Sequence, residues 1–68
     1  MSDAIYKTVD VIGSSSNSLE DAIQGAVAKA AETVHNLDWF EVNEIRGHIT
    51  DGKVAHYQVG LKIGFRLD

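Results

Sequence analysis

Apolar and polar positions alternate without a break from His56 to Leu67. Tyr57, Val59, Leu61, Ile63, Phe65 and Leu67 fall on one side, and His56, Gln58, Gly60, Lys62, Gly64 and Arg66 on the other. A period of two is the signature of a strand with one buried face. The stretch from Leu37 to Ile49 alternates as well, but with a change of phase: Phe40 and Val42 are even-numbered, Ile45 and Ile49 odd. One extra residue near Asn43-Glu44, a β-bulge, keeps all four in a common core. Trp39 then points to the opposite face, together with Arg46 and His48, and Gln58 of the following strand shares that face. Between the two runs lies Thr50-Asp51-Gly52-Lys53. Asp-Gly suits the positive φ angles of a type I′ turn, which predicts an antiparallel hairpin.

The N-terminal half has two periodicities. Ile5, Val9 and Val11 alternate with Tyr6, Thr8 and Asp10, so Ala4 to Ile12 reads as a first strand, with Lys7 interrupting its apolar face as an edge strand tolerates. Gly13-Ser14-Ser15-Ser16-Asn17-Ser18 reads as a turn. Either Asn17 with Glu20 or Ser18 with Asp21 has the spacing of a capping pair. From Leu19 to about Val34 the apolar residues recur at Leu19, Ala22, Ile23, Ala26, Val27, Ala30 and Val34, the spacing of one helical face. Its many alanines allow a close approach to a sheet, and His35-Asn36 closes it. The expected fold is α+β: a single domain spanning 1–68, β-α-β-β, with a three-stranded antiparallel sheet against one helix.

Length and charge narrow the possible partners. A chain of 68 residues buries only about 60% of its unfolded surface, so it needs extra stabilisation. There is no cysteine, which excludes disulfides and thiolate metal sites and leaves association as the remaining route. A formal charge of −4 argues against coating nucleic acid or an anionic membrane. No leader-like segment or long apolar run is visible, so the expectation is a soluble, cytoplasmic protein without nucleic-acid or membrane partners.

Several stretches together resemble a known family. The order strand, Ser-rich turn, helix, Leu37-Asp38-Trp39-Phe40-Glu41-Val42 with Ile45-Arg46-Gly47-His48, then His56-Tyr57-Gln58-Val59 and Gly64-Phe65-Arg66-Leu67, resembles the dodecins. These are small flavin-binding proteins. The resemblance implies a sheet wrapped around the helix and twelve copies forming a hollow homododecamer. It also implies flavins, flavin mononucleotide (FMN) or riboflavin, held in stacked pairs between tryptophans of neighbouring subunits. On this sequence the stacking tryptophan falls on Trp39, the glutamine that meets the polar edge of the isoalloxazine on Gln58, and the arginine of bacterial members on Arg46. Asp38, and equally Glu44, is placed to take ribityl hydroxyls. Some bacterial relatives also hold coenzyme A, for which Tyr6, Lys29 and Arg66 are the matching contacts here. This chain departs from the more basic relatives in that region, with Ala31, Glu32 and His35 along the exposed helix end.

The chemistry of these residue types suits those roles. An indole offers a plane for an electron-poor ring, worth about 0.5–1.5 kcal/mol beyond burial. A primary amide both donates and accepts, and a guanidinium presents a planar fork of donors. The plainer readings are that Trp39 is a core residue, Gln58 a solvated one, and Lys62 and Arg66 charges that protect a sheet edge. His35, His48 and His56 lack the spacing and the carboxylate company of a metal site and read as ordinary surface or interface histidines, so no metal site is expected. No nucleophile, general base or nicotinamide-binding fingerprint is visible. The chain is therefore expected to be a flavin storage, buffering and photoprotective protein and not an enzyme. The alternatives are a structural or interaction module, or a flavin-dependent redox enzyme, using the same outer sheet face.

Overall fold

In the computed structural model, which describes residues 3–68, the chain runs through β1 (Tyr6–Ser15), α1 (Leu19–Ala30), β2 (Leu37–Thr50) and β3 (Lys53–Arg66). The three strands form one antiparallel sheet in the order β1-β3-β2. The expected β-α-β-β fold is present. The long C-terminal strand is central, as its two-sided pairing requires.

The hairpin forms as the Asp-Gly pair predicts: Asp51 and Gly52 have φ of 53° and 75°, the left-handed pair that a type I′ turn demands. The bulge at Asn43 is also present, as a register shift between the Val42–Leu61 and Glu44–Gly60 pairs. Two further shifts were not legible in the alternation. One lies between Leu37 and Trp39, the other between His48 and Ile49. The first turns Trp39 away from the face that Leu37 occupies. The second sets Ile49 opposite Val54, so that the two line an apolar groove with Ile45, Tyr57 and Leu19.

Element boundaries differ from expectation at both ends of β1, which begins at Tyr6 and not at Ala4, and at the end of α1. Instead of ending at Ile12, β1 continues through Gly13, Ser14 and Ser15, paired with Val59, Gln58 and Tyr57. Gly13 is a contact glycine and not a turn glycine. A Cβ there would collide with the backbone carbonyl of Ala22 and lie 3.0 Å from the Ala26 Cβ. Ser15 is buried and organises the turn: its hydroxyl donates to Asp21 Oδ2 at 2.7 Å and accepts from the Asn17 N–H at 2.9 Å. Ser18 is the helix cap, accepting from the Asp21 N–H at 3.0 Å, which decides between the two capping pairs. Regular helix stops at Ala30, four residues before Val34. Beyond it the N–H groups of Glu32 and Thr33 donate to the carbonyls of Lys29 and Ala30 at 3.2 Å, the tighter bonding common at helix ends. Asn36 then takes φ of 62°, and its side-chain amide donates to the Arg66 carbonyl and to Asp68.

The core is small and lies to one side. Ala22, Ala26 and Ala30 of α1 pack on Val59, Leu61 and Ile63 of β3, flanked by Val9, Val11, Leu19, Ile23, Val27 and Leu37. The helix backbone lies over β1 and β3 and makes no comparably close approach to β2, which meets it only at side chains such as Leu37. Phe40, Val42, Ile45 and Ile49 do lie on the helix side of the sheet, opposite Ile63, Leu61, Val59 and Val54. They are nonetheless 38–76% exposed, which corrects the expectation that the bulge keeps all four in a common core: within one chain the helix buries Val59, Leu61 and Ile63 of β3 but leaves these β2 residues uncovered. The radius of gyration is 14.3 Å, whereas a compact domain of this length has about 11 Å. A single chain is thus a half-covered sheet.

Candidate functional site

The outer face of the sheet, opposite the helix, carries the candidate residues. Its rungs are set by pairing in β2 and β3: Trp39 beside Gly64, Glu41 beside Lys62, Glu44 beside Gly60, Arg46 beside Gln58 and His48 beside His56. Trp39 sits on this face because of the bulge at Asp38. In a regular strand it would share a face with Leu37, which is partly buried against the core.

The indole rests on a glycine. A Cβ at Gly64 would collide with Cε2 and Cζ2 of Trp39, so the ring occupies the space where any other residue would place its side chain. The indole is 41% exposed. One of its faces is therefore backed by β3 while the other stays open, the arrangement a flat ligand needs. Tyr6 stands beside it, with ring centroids 6.5 Å apart and planes inclined at 58°. The Tyr6 hydroxyl has its pKa raised, chiefly by its hydrogen bond to the Asp38 carboxylate and then by that carboxylate's charge, with Arg66 pulling the other way. Asp38 thus stands close to the Tyr6 hydroxyl as well as beside the plate.

The Arg46 and Gln58 side chains meet directly: Arg46 Nε donates to Gln58 Oε1 at 3.2 Å. Arg46 also lies 3.8 Å from Glu44 Oε1, an exposed ion pair worth little by itself. Because the carbonyl of Gln58 is engaged, its amide N–H groups and the outer guanidinium N–H groups project as donors. Gly60 completes this end, since a Cβ there would come within 2.8 Å of Asn43 Oδ1 in the bulge.

These two groups of residues share a face but not a neighbourhood. Gly64 and Gln58 are six residues apart on β3, about 20 Å along an extended strand. One chain therefore brings Arg46 and Gln58 together, and Trp39 with Asp38 and Tyr6, but does not bring the plate to the donors. Likewise Tyr6 and Arg66 are cross-strand partners, while Lys29, next to Glu32 at 3.6 Å, projects from the solvent side of α1 on the other side of the sheet. The sequence reading missed the support under the plate and the Tyr6–Asp38 contact. Gly64 opposite a tryptophan was the available signal for the first, and the second depends on the bulge at Asp38. Among the described residues no helix is long and apolar enough to cross a membrane.

Comparison with known proteins agrees with this geometry. The profile of the Dodecin family matches residues 5–68. A dodecin of Thermus thermophilus is 53% identical over 64 residues, which are 94% of this chain and 93% of that one. The solved dodecin from Streptomyces davaonensis superposes with a TM-score of 0.92 at 48% identity, covering 98% of both chains. That from Streptomyces coelicolor gives 0.92 at 50%, covering 100% of this chain and 97% of the other. With the profile spanning nearly the whole length and a relative above half identity, the chain belongs to the dodecin family.

Proposed function

We propose that this protein is a flavin-binding carrier, assembled as a homododecamer, that stores and shields FMN or riboflavin and carries out no turnover. The observation that carries the reading is the Trp39 indole seated over Gly64 with its outer face open. Such a plate suits a flat, electron-poor ring. Arg46 and Gln58 supply donors suited to the carbonyl-bearing edge of an isoalloxazine, and the guanidinium also suits the phosphate of FMN.

The separation of plate and donors within one chain is the physical reason for an assembled site. Trp39 of one copy and the Arg46–Gln58 pair of another would close on a single ligand. The exposed apolar row of β2, with Phe40, Val42, Ile45 and Ile49, needs cover of the same kind. When bound, the flavin supplies the light-absorbing ring, which indole contact quenches by electron transfer. Trp39 excludes water from one ring face, and the second flavin of the stacked pair would exclude it from the other, leaving no face for a substrate. A coenzyme A site using Tyr6, Lys29 and Arg66 would likewise draw on more than one copy.

The test is a fluorescence titration of FMN and riboflavin with the assembled protein. Saturable quenching at one flavin per chain is expected, lost in Trp39→Ala while the assembly's mass by light scattering is retained. Unchanged emission with the native protein would defeat the reading. A mass of one chain at micromolar concentration would defeat the assembly.

A further inference from the structure

We infer that His48 and His56 form a cross-strand bis-imidazole site for a divalent transition cation of the Zn²⁺, Ni²⁺ or Cu²⁺ class. The two residues are eight positions apart and nothing in their spacing joins them, but β2–β3 pairing sets them directly opposite each other on the outer face. Their rings are stacked, with centroids 4.7 Å apart and planes 19° from parallel. With metal–nitrogen bonds of about 2.0–2.1 Å, two imidazoles meeting one ion at about 90–110° hold their ring centres about 4.5–5 Å apart. The observed separation already lies in that range. Only rotation about χ2, a broad torsion in histidine, is needed to aim one nitrogen of each ring at a common point.

The surroundings select the class of cation. Imidazole nitrogens suit zinc, nickel and copper, whereas calcium and magnesium need several oxygen ligands. Among the described residues there is no group of three or more histidine, aspartate or glutamate side chains able to hold a metal, so the remaining positions fall to water. Arg46 occupies the adjacent rung and disfavours a cation, but its guanidinium is paired with Glu44 and bonded to Gln58. The β-bulge between His48 and Ile49 immediately beyond the pair fixes the rung's place at the end of the regular ladder. The pairing also lies on a well-formed hairpin, which holds both ligands without further ordering of the chain. Its two ligands include neither Trp39 nor Gln58, so the site rests on different side chains from the proposed flavin site.

The test is calorimetric titration of the native assembly with ZnCl₂ and NiCl₂, with CaCl₂ as the contrasting cation. Saturable Zn²⁺ and Ni²⁺ binding at one ion per chain is expected, weakened by at least about tenfold in His48→Ala and in His56→Ala, because losing a ligand costs no less than losing its outer support. His35→Ala, in the loop before β2, should bind as the native protein does. A Cu²⁺ electron paramagnetic resonance spectrum should show coupling to two imidazole nitrogens, a readout that survives any loss of stability in the variants. No saturation by Zn²⁺ or Ni²⁺, native-strength binding by either His48→Ala or His56→Ala, dependence on His35, or coupling to a single nitrogen would each overturn the inference.

Discussion

The two strands flanking β3 carry the same alternation of apolar and polar residues, yet they have different fates. On the β1 side, Val9 and Val11 pack against the core and α1 lies over the strand, close enough that Gly13 admits no Cβ. On the β2 side, Phe40 is 50% and Ile45 62% exposed on the same face of the same sheet. The difference is the width of one helix. An α-helix is about 10–12 Å across with its side chains, and strands lie about 4.7–4.9 Å apart, so α1 spans roughly two strands and cannot cover a third. An apolar face in the sequence thus marks a surface that must be buried, without saying whether its cover comes from the same chain.

That asymmetry can be broken most sharply at its two ends. Leu61→Ala removes a side chain that is 1% exposed under the helix, and should cost about 2–5 kcal/mol. The loss should appear as a lower denaturant midpoint at every protein concentration. Ile45→Ser acts on the uncovered side, so its effect should grow as the protein is diluted, because partner-supplied burial enters stability through mass action. A concentration-independent loss for Ile45→Ser would show that the β2 face contributes within the chain after all.

The next contrast concerns what lies on β3 under the β2 flank. Gly64→Ala inserts a methyl group into the indole of Trp39 and should tilt the plate. Flavin affinity is expected to fall by up to about tenfold, the upper end of what aromatic stacking contributes, with a shift in tryptophan emission. Unaltered quenching would mean that the plate does not depend on its glycine seat. On the β1 flank, Ser18→Ala removes the cap that accepts from the Asp21 N–H and should cost about 1 kcal/mol, measurable by thermal unfolding. Ser18→Asp should restore most of it.

The smallest effect probes Tyr6 of β1 against Asp38 and Trp39 of β2. The hydrogen bond to Asp38 and its negative charge both raise the Tyr6 pKa, so the folded protein holds the phenolic proton more firmly than the unfolded chain does. The associated stabilisation is complete below the ordinary tyrosine range near pH 10 and fades as pH rises through the raised value. In a Tyr57→Phe background, which leaves Tyr6 as the single tyrosine, ultraviolet titration should find Tyr6 ionising late. Asp38→Asn should bring it back towards the ordinary value. A midpoint that Asp38→Asn leaves in place would remove the carboxylate as its cause.

Much of the candidate site was legible because sheet faces are local. Alternation from His56 to Leu67 and the phase change between Val42 and Ile45 sufficed to put Trp39, Arg46 and Gln58 on one side, and the pairing agrees. The bulge at Asp38 was not legible, because a single polar residue between Leu37 and Trp39 leaves the apolar pattern undisturbed. Gly13 was misread for a related reason. Glycine marks a turn and a close helix contact alike, and only the position of Ala22 distinguishes them.

The sequence by itself determined the order of elements, the face of each strand residue and the hairpin. These follow from side-chain period and from φ angles that few residues tolerate. Tertiary structure decided the rest: which apolar residues are covered, that the tryptophan rests on a glycine of another strand, that Arg46 meets Gln58, and that two histidines eight residues apart stack as one pair. Those are contacts between segments distant in sequence, set by strand register and by the reach of a single helix, and neither quantity is written in the pattern of one segment alone.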